Sequence, residues 1–98
     1  MQTTIADLGA DDFEPHTGQV FRLTAKDRAL DLELAQVQRL GSALREGGAF
    51  SLVFHAPAGP VLPQSIYPIA HPALGAMDLF VVPIQPMNGQ QRYEVIFT

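Results

Sequence analysis

Three histidines, His16, His55 and His71, are the side chains of this sequence best suited to chemistry, because imidazole binds metals and exchanges protons near neutral pH. A zinc site needs three or four N or O ligands converging at about 2.1 Å on one point, and spacings such as HxH or HxxxH usually betray it. Neither spacing occurs here, so the three read as surface or loop histidines. No metal and no cofactor is expected.

A sharper possibility joins His71 to Asp78. A turn in HPALG centred between Ala73 and Leu74 would pair Tyr67 with Phe80 and Ile69 with Asp78. His71 would then lie diagonal to Asp78 on the same face, about 7 Å away between α-carbons. That spacing suits the His–Asp hydrogen bond of a general base, in a pocket that would also hold Tyr67. The plainer reading is a polar pair on the rim of a small barrel. No nucleophile accompanies it: Ser42 sits in LGSAL rather than GxSxG, and Ser51 and Ser65 have no motif around them. The carboxylates of Asp78 and Glu94 would lie about 17 Å apart along the strands, beyond the roughly 5–9.5 Å of a glycosidase pair. The glycines fall between apolar runs, and none opens a helix as a phosphate cradle would require. No catalytic residue is expected, and the balance favours a protein that is not an enzyme.

The elements that must position these groups are strands. Phe50 to Ile84 holds three apolar runs, FSLVF, IYPIA and MDLFVVPI, parted by Pro/Gly clusters. Upstream, QVFRLTAKDRALDLEL reads as a hairpin about Lys26–Asp27. This register sets Leu23 opposite Leu30, Phe21 opposite Leu32 and Arg22 opposite Asp31. The apolar parity of the second strand then slips from Leu34 to Val37, which predicts a β-bulge near Ala35 or Gln36. Helix competes with strand and loop for LELAQVQRLGSALREGG, since Leu32, Val37, Leu40 and Leu44 share a helical face; strand, then loop, is the expectation.

The third strand alternates Phe50, Leu52 and Phe54 with Ser51, Val53 and His55. Pro68 argues that the fourth is an edge or carries a bulge. Apolar on both faces, the fifth should be central or lie at a subunit contact. Asn88–Gly89 is the strongest hairpin signal. Its simple register would turn Phe80, Val82 and Ile84 inward with Tyr93, Val95 and Phe97. Leu79, Val81 and Ile96 would then form an apolar outer patch, covered by the N-terminal arm (Ile5, Leu8, Phe13) or by a second chain.

In front of the strands, Thr4–Asp7 has the form of a capping box with Gly9 as a stop, predicting one helical turn. Phe13 is the expected plug. Pro15 should push Glu14 out of the α region, and Gly18 permits a sharp bend into the first strand. Asp7, Asp11, Asp12 and Glu14 read as a solvated acidic arm; the functional alternative, a calcium or partner-docking patch, lacks EF-hand spacing.

The chain of 98 residues, 47% of them hydrophobic, is expected to be one domain: an arm over 1–18 and a β core over 19–98. The fold predicted is all-β, about six antiparallel strands in mostly meander order, curled into a small barrel or tight sandwich behind a short helical turn. A net charge of −4 with six scattered basic residues disfavours nucleic acid. No apolar run of about 18 residues and no secretion signal appears, so the expected location is cytoplasmic, with no membrane partner. With no Cys, disulfides and thiolate sites are excluded.

Taken together, FEPHTGQVF, FSLVF, LPQSIY, HPALG, DLFVVP and RYEVIF, spanning Phe13 to Phe97, resemble a small bacterial family classed as a domain of unknown function and associated with phage-tail or tail-collar-like gene neighbourhoods. The resemblance implies a shared fold and an accessory role in a larger assembly, and it supplies no catalytic residues. Two readings follow. The first is a structural or protein-interaction module, binding itself or another protein through Leu79, Val81 and Ile96. The alternative is a small-molecule or metal-binding barrel, conceivably an enzyme, using Tyr67, His71 and Asp78.

Overall fold

The computed structural model describes residues 8–40, 49–57 and 59–97. The Thr4–Asp7 turn, Ile5, Ser42 and the connection after Leu40, where helix competes with loop, lie outside them. Six strands follow a short arm: β1 (Val20–Thr24), β2 (Ala29–Arg39), β3 (Phe50–Ala56), β4 (Ser65–His71), β5 (Gly75–Met87) and β6 (Gln90–Phe97). They form a closed antiparallel barrel in the order β1-β2-β3-β6-β5-β4, the closure expected of a sheet this size that would otherwise leave unpaired edges.

The β1–β2 hairpin has the expected register, with Phe21 opposite Leu32, Arg22 opposite Asp31 and Leu23 opposite Leu30. On the outer face Arg22 Nε donates to Asp31 Oδ1 at 3.2 Å. The bulge is also where the parity slip puts it: β2 pairs with β3 through Leu34–Phe54 and then Gln36–Val53, leaving Ala35 unpaired. That extra residue keeps Val37 on the side of Leu52 and the core.

The order of the strands departs from a meander. β3 pairs with β6, and β4 pairs with β1, so β3 and β4 stand on opposite sides of the ring. The proline-rich connection between them must therefore cross an open end of the barrel. It drops Leu62 into the interior and, among its described residues, is held by Leu62 N–H to Tyr93 Oη at 3.0 Å, Arg28 Nη2 to the Pro60 carbonyl at 3.0 Å, Tyr67 Oη to the Pro63 carbonyl at 2.6 Å and Gln91 Nε2 to the Gly59 carbonyl at 3.2 Å. Prolines at 57, 60 and 63 stiffen this span.

The opposite end is closed by the arm. Its helical turn α1 spans Ala10–Phe13 and runs into a 3-10 turn over Glu14–His16. Gly9 is the extended N-cap of this helix, and its N–H donates to Asp12 Oδ2 at 2.8 Å. Glu14 stays helical at φ −54°, ψ −41°, because Pro15 falls in the first turn of the 3-10 segment, where its missing N–H breaks no bond. Gly18 makes the corner into β1 at φ 88°. Phe13 is fully buried among Phe21, Phe50 and Phe97, the plug its position in the sequence predicts. Leu8 joins the same core.

The β5–β6 hairpin turns at Asn88–Gly89, both at positive φ (54° and 77°), with Met87 opposite Gln90. Two residues later the register shifts: Gln85 and Pro86 together oppose Gln91, and Ile84 pairs with Arg92. This second bulge inverts the parity of everything before it in β5. Leu79 and Val81 point into the core at 2% and 1% exposure, while Phe80 is 51% exposed. The expected outer patch of Leu79, Val81 and Ile96 therefore keeps only Ile96. The strand buried on both faces is β3, from Phe50 to Phe54, not β5.

Barrel closure itself is brief. β1 and β4 share two partner pairs, Arg22–Ala70 and Leu23–Ile69, and the pairing stops one residue short of Pro68, which has no N–H to offer a ladder.

Candidate functional site

The turn joining β4 to β5 decides the fate of the expected His71–Asp78 pair. It contains three residues, Pro72 to Leu74, closed by His71 opposite Gly75 at φ 80°, one more than a tight turn centred on Ala73–Leu74 supplies. Asp78 accordingly pairs with Pro68 on the exposed outer face, while His71 turns inward and is 7% exposed. The two sit on opposite faces of the sheet, and no dyad forms. Tyr67 shares the inner parity of His71, but its hydroxyl is committed to the Pro63 carbonyl near the far mouth. The three residues do not make one pocket.

His71 meets His16 instead. The 3-10 turn brings the His16 ring to a centroid distance of 4.4 Å from His71, which also lies 4.5 Å from Phe21. Gln19 Oε1 sits between the imidazoles, 2.9 Å from His16 Nδ1 and 2.7 Å from His71 Nε2. An amide oxygen only accepts, so both nitrogens carry a proton. On its other side His71 Nδ1 accepts the Ala73 N–H at 3.0 Å. His71 is thereby fixed as the neutral tautomer protonated at Nε2. Desolvation by burial, then the neighbouring His16, holds its pKa below the ordinary imidazole value.

The same bonds argue against a metal on these rings. A metal at Nε2 leaves the proton on Nδ1, where it would face the Ala73 N–H. His55 is far from the pair, level with Glu33 and Arg92 on the outside of β3. Among the described residues, no group of three or more His, Cys, Asp or Glu is placed to hold a metal ion.

Outside the barrel, the β4–β5 hairpin carries a ridge and a hollow. Ile66 pairs with Phe80, and both side chains project to solvent at 65% and 51% exposure. Ile96 of β6 is 52% exposed. Four residues along the same face Ala70 pairs with Ala76, and these small side chains floor an open depression of about 610 Å³ walled by Val20, the Arg22–Asp31 pair and the edge of His71. Sequence reasoning missed Ile66, Phe80 and Gln19 as site residues, and weighed His16 only as a metal ligand. The signal for the first two was Pro86, a strand residue that marks a bulge; nothing local links His16 to His71, which lie far apart in sequence.

The family model described as domain of unknown function (DUF6916) matches residues 8–97. The chain belongs to this family. No curated protein and no solved structure matches it. Among the described residues, no helix is long and apolar enough to cross a membrane.

Proposed function

We propose that this DUF6916 barrel is a structural module that associates with a second copy of itself through the outer face of its β4–β5 hairpin, within a larger cytoplasmic assembly. The observation that carries the reading is the ridge of Ile66 and Phe80 lying on the same face as the Ala70–Ala76 hollow. Four residues separate them, about 13 Å at strand rise. A two-fold axis running across the hairpin at the Pro68–Asp78 row lays the ridge of each copy over the hollow of the other, which is the self-complementarity a symmetric dimer requires.

The strength of the contact follows from its size. A ridge of two or three half-exposed side chains presents a few hundred Å² of apolar surface, less than the roughly 800 Å² per partner of a stable interface. The Asp78 carboxylates would also approach each other near the axis. Association is therefore reversible and concentration-dependent. An accessory place in a tail-like assembly, the setting the sequence resemblance implies, would supply the high local concentration such a contact needs.

Sedimentation or light scattering across a concentration series tests this. Wild type should show a concentration-dependent dimer, and Phe80→Glu and Ala76→Leu should each weaken it at least about tenfold, one by charging the ridge and the other by filling the hollow. A wild-type chain that stays monomeric at millimolar concentration, or a dimer indifferent to both substitutions, overturns the proposal.

A further inference from the structure

Besides the burial of Leu8 and Ala10 in the core, three contacts of polar or aromatic side chains hold the arm in the barrel mouth. Phe13 fills an aromatic socket, its ring centroid 6.3, 5.8 and 5.5 Å from those of Phe21, Phe50 and Phe97. Arg39, at the end of β2, donates from Nη2 to Asp11 Oδ1 and Glu14 Oε1. The third contact is the imidazole joint, where Gln19 Oε1 receives the His16 and His71 protons. Gly18, at φ 88°, is the corner about which the arm would swing.

The joint admits only an uncharged His71. A second proton would have to enter at Nδ1, where the Ala73 N–H already points at the lone pair at 3.0 Å; two N–H groups would then face each other and the β4–β5 turn would have to yield. The ionisable groups around the ring offer little compensation. From the 3-10 turn it faces His16, itself a base. On β1 its neighbour is the apolar Phe21, while Arg22 and Asp31 lie on the outer face of the sheet, joined to each other at 3.2 Å. β5 sets Gly75 opposite, and its Asp78 lies on the outer face of the sheet. The arm's Asp11 and Glu14 are held by Arg39.

We propose that protonation of His71 releases the arm from the mouth of an otherwise intact barrel, uncovering the Phe21–Phe50–Phe97 socket. Its direction follows by linkage. In the closed state, burial and then His16 depress the affinity of His71 for a proton; with the arm away, the ring returns toward about 6.5. The closed state thus keeps its full advantage above about pH 6.5, and loses it about tenfold per pH unit below, until the closed form itself takes up the proton.

Amide hydrogen exchange on the full chain, read by NMR as protection factors from about pH 7.5 to about pH 5, tests the device. Protection at Asp12, whose N–H bonds the Gly9 carbonyl, should fall about tenfold per unit below about pH 6.5 while Leu52 and Phe54 in β3 stay protected. His71→Gln, whose amide can accept from Ala73 and donate to Gln19, should hold the arm down to about pH 5. Should that variant fail to fold, His16→Gln serves: without the His16 charge the closed form takes up its proton at higher pH, so the fall in protection should end sooner and be smaller than in wild type. Flat protection at Asp12 in wild type, release persisting in His71→Gln, loss of β3 protection together with the arm, or a fall in protection undiminished in His16→Gln each overturns the proposal.

Discussion

At one mouth of the barrel a phenylalanine is delivered by a detachable arm and held by ion pairs and imidazoles; at the other a leucine is delivered by a covalent bridge and held by tyrosine hydroxyls and backbone groups. Both ends solve the same problem, since an open end would wet the core. They differ in what can undo them. The arm joins the barrel from one side and is tied by the His71 imidazole among other groups, whereas the bridge is anchored in β3 and β4 and its polar contacts come from tyrosine, arginine and glutamine side chains.

The largest effect expected is at the two plugs. Phe13→Ala should cost about 3–5 kcal/mol and Leu62→Ala about 2–4 kcal/mol in chemical denaturation, because each leaves a cavity and the larger, fully buried ring leaves the larger one. Equal costs would mean that the arm contributes less to closure than its burial implies. Next comes Tyr93→Phe, which strands the buried Leu62 N–H and should cost about 1–3 kcal/mol, the same at about pH 7.5 as at about pH 5.5. A cost that varied with pH would erase the distinction between the mouths. The smallest effect belongs to Arg39→Gln. Its hydrogen bonds to Asp11 and then Glu14 raise the Arg39 pKa, yet the guanidinium is half exposed, so the loss should be slight, larger in low salt and nearly gone in high salt.

Legibility in the sequence divides along similar lines. The β1–β2 register was readable because two independent patterns, apolar against apolar and Arg22 against Asp31, agree on one alignment, and the Ala35 bulge because Leu34 and Val37 break parity in a strand with one polar face. β5 offers no such check: Met77 to Ile84 is apolar on both sides, so the sequence pattern is equally content with either face inward. The bulge at Gln85 and Pro86 then reversed Leu79 and Val81. One extra residue in the Pro72–Leu74 turn did the same to the expected His71–Asp78 pair. The Phe13 plug was legible from composition alone, as the large apolar residue of an acidic arm. The crossing of the β3–β4 connection was not, since strand adjacency is decided by closure of the whole ring.

The two-pair seam between β1 and β4 sets how the molecule assembles and breathes. The β1–β2, β4–β5 and β5–β6 hairpins need only neighbouring residues and can form early, whereas the seam joins segments almost half the chain apart, so its loop-closure entropy is large and only two pairs offset it. Closure there comes late in folding. When the native ring opens by fluctuation it parts along this line first, and for that moment a cylinder becomes a curved ribbon with β1 at one margin and β4 at the other.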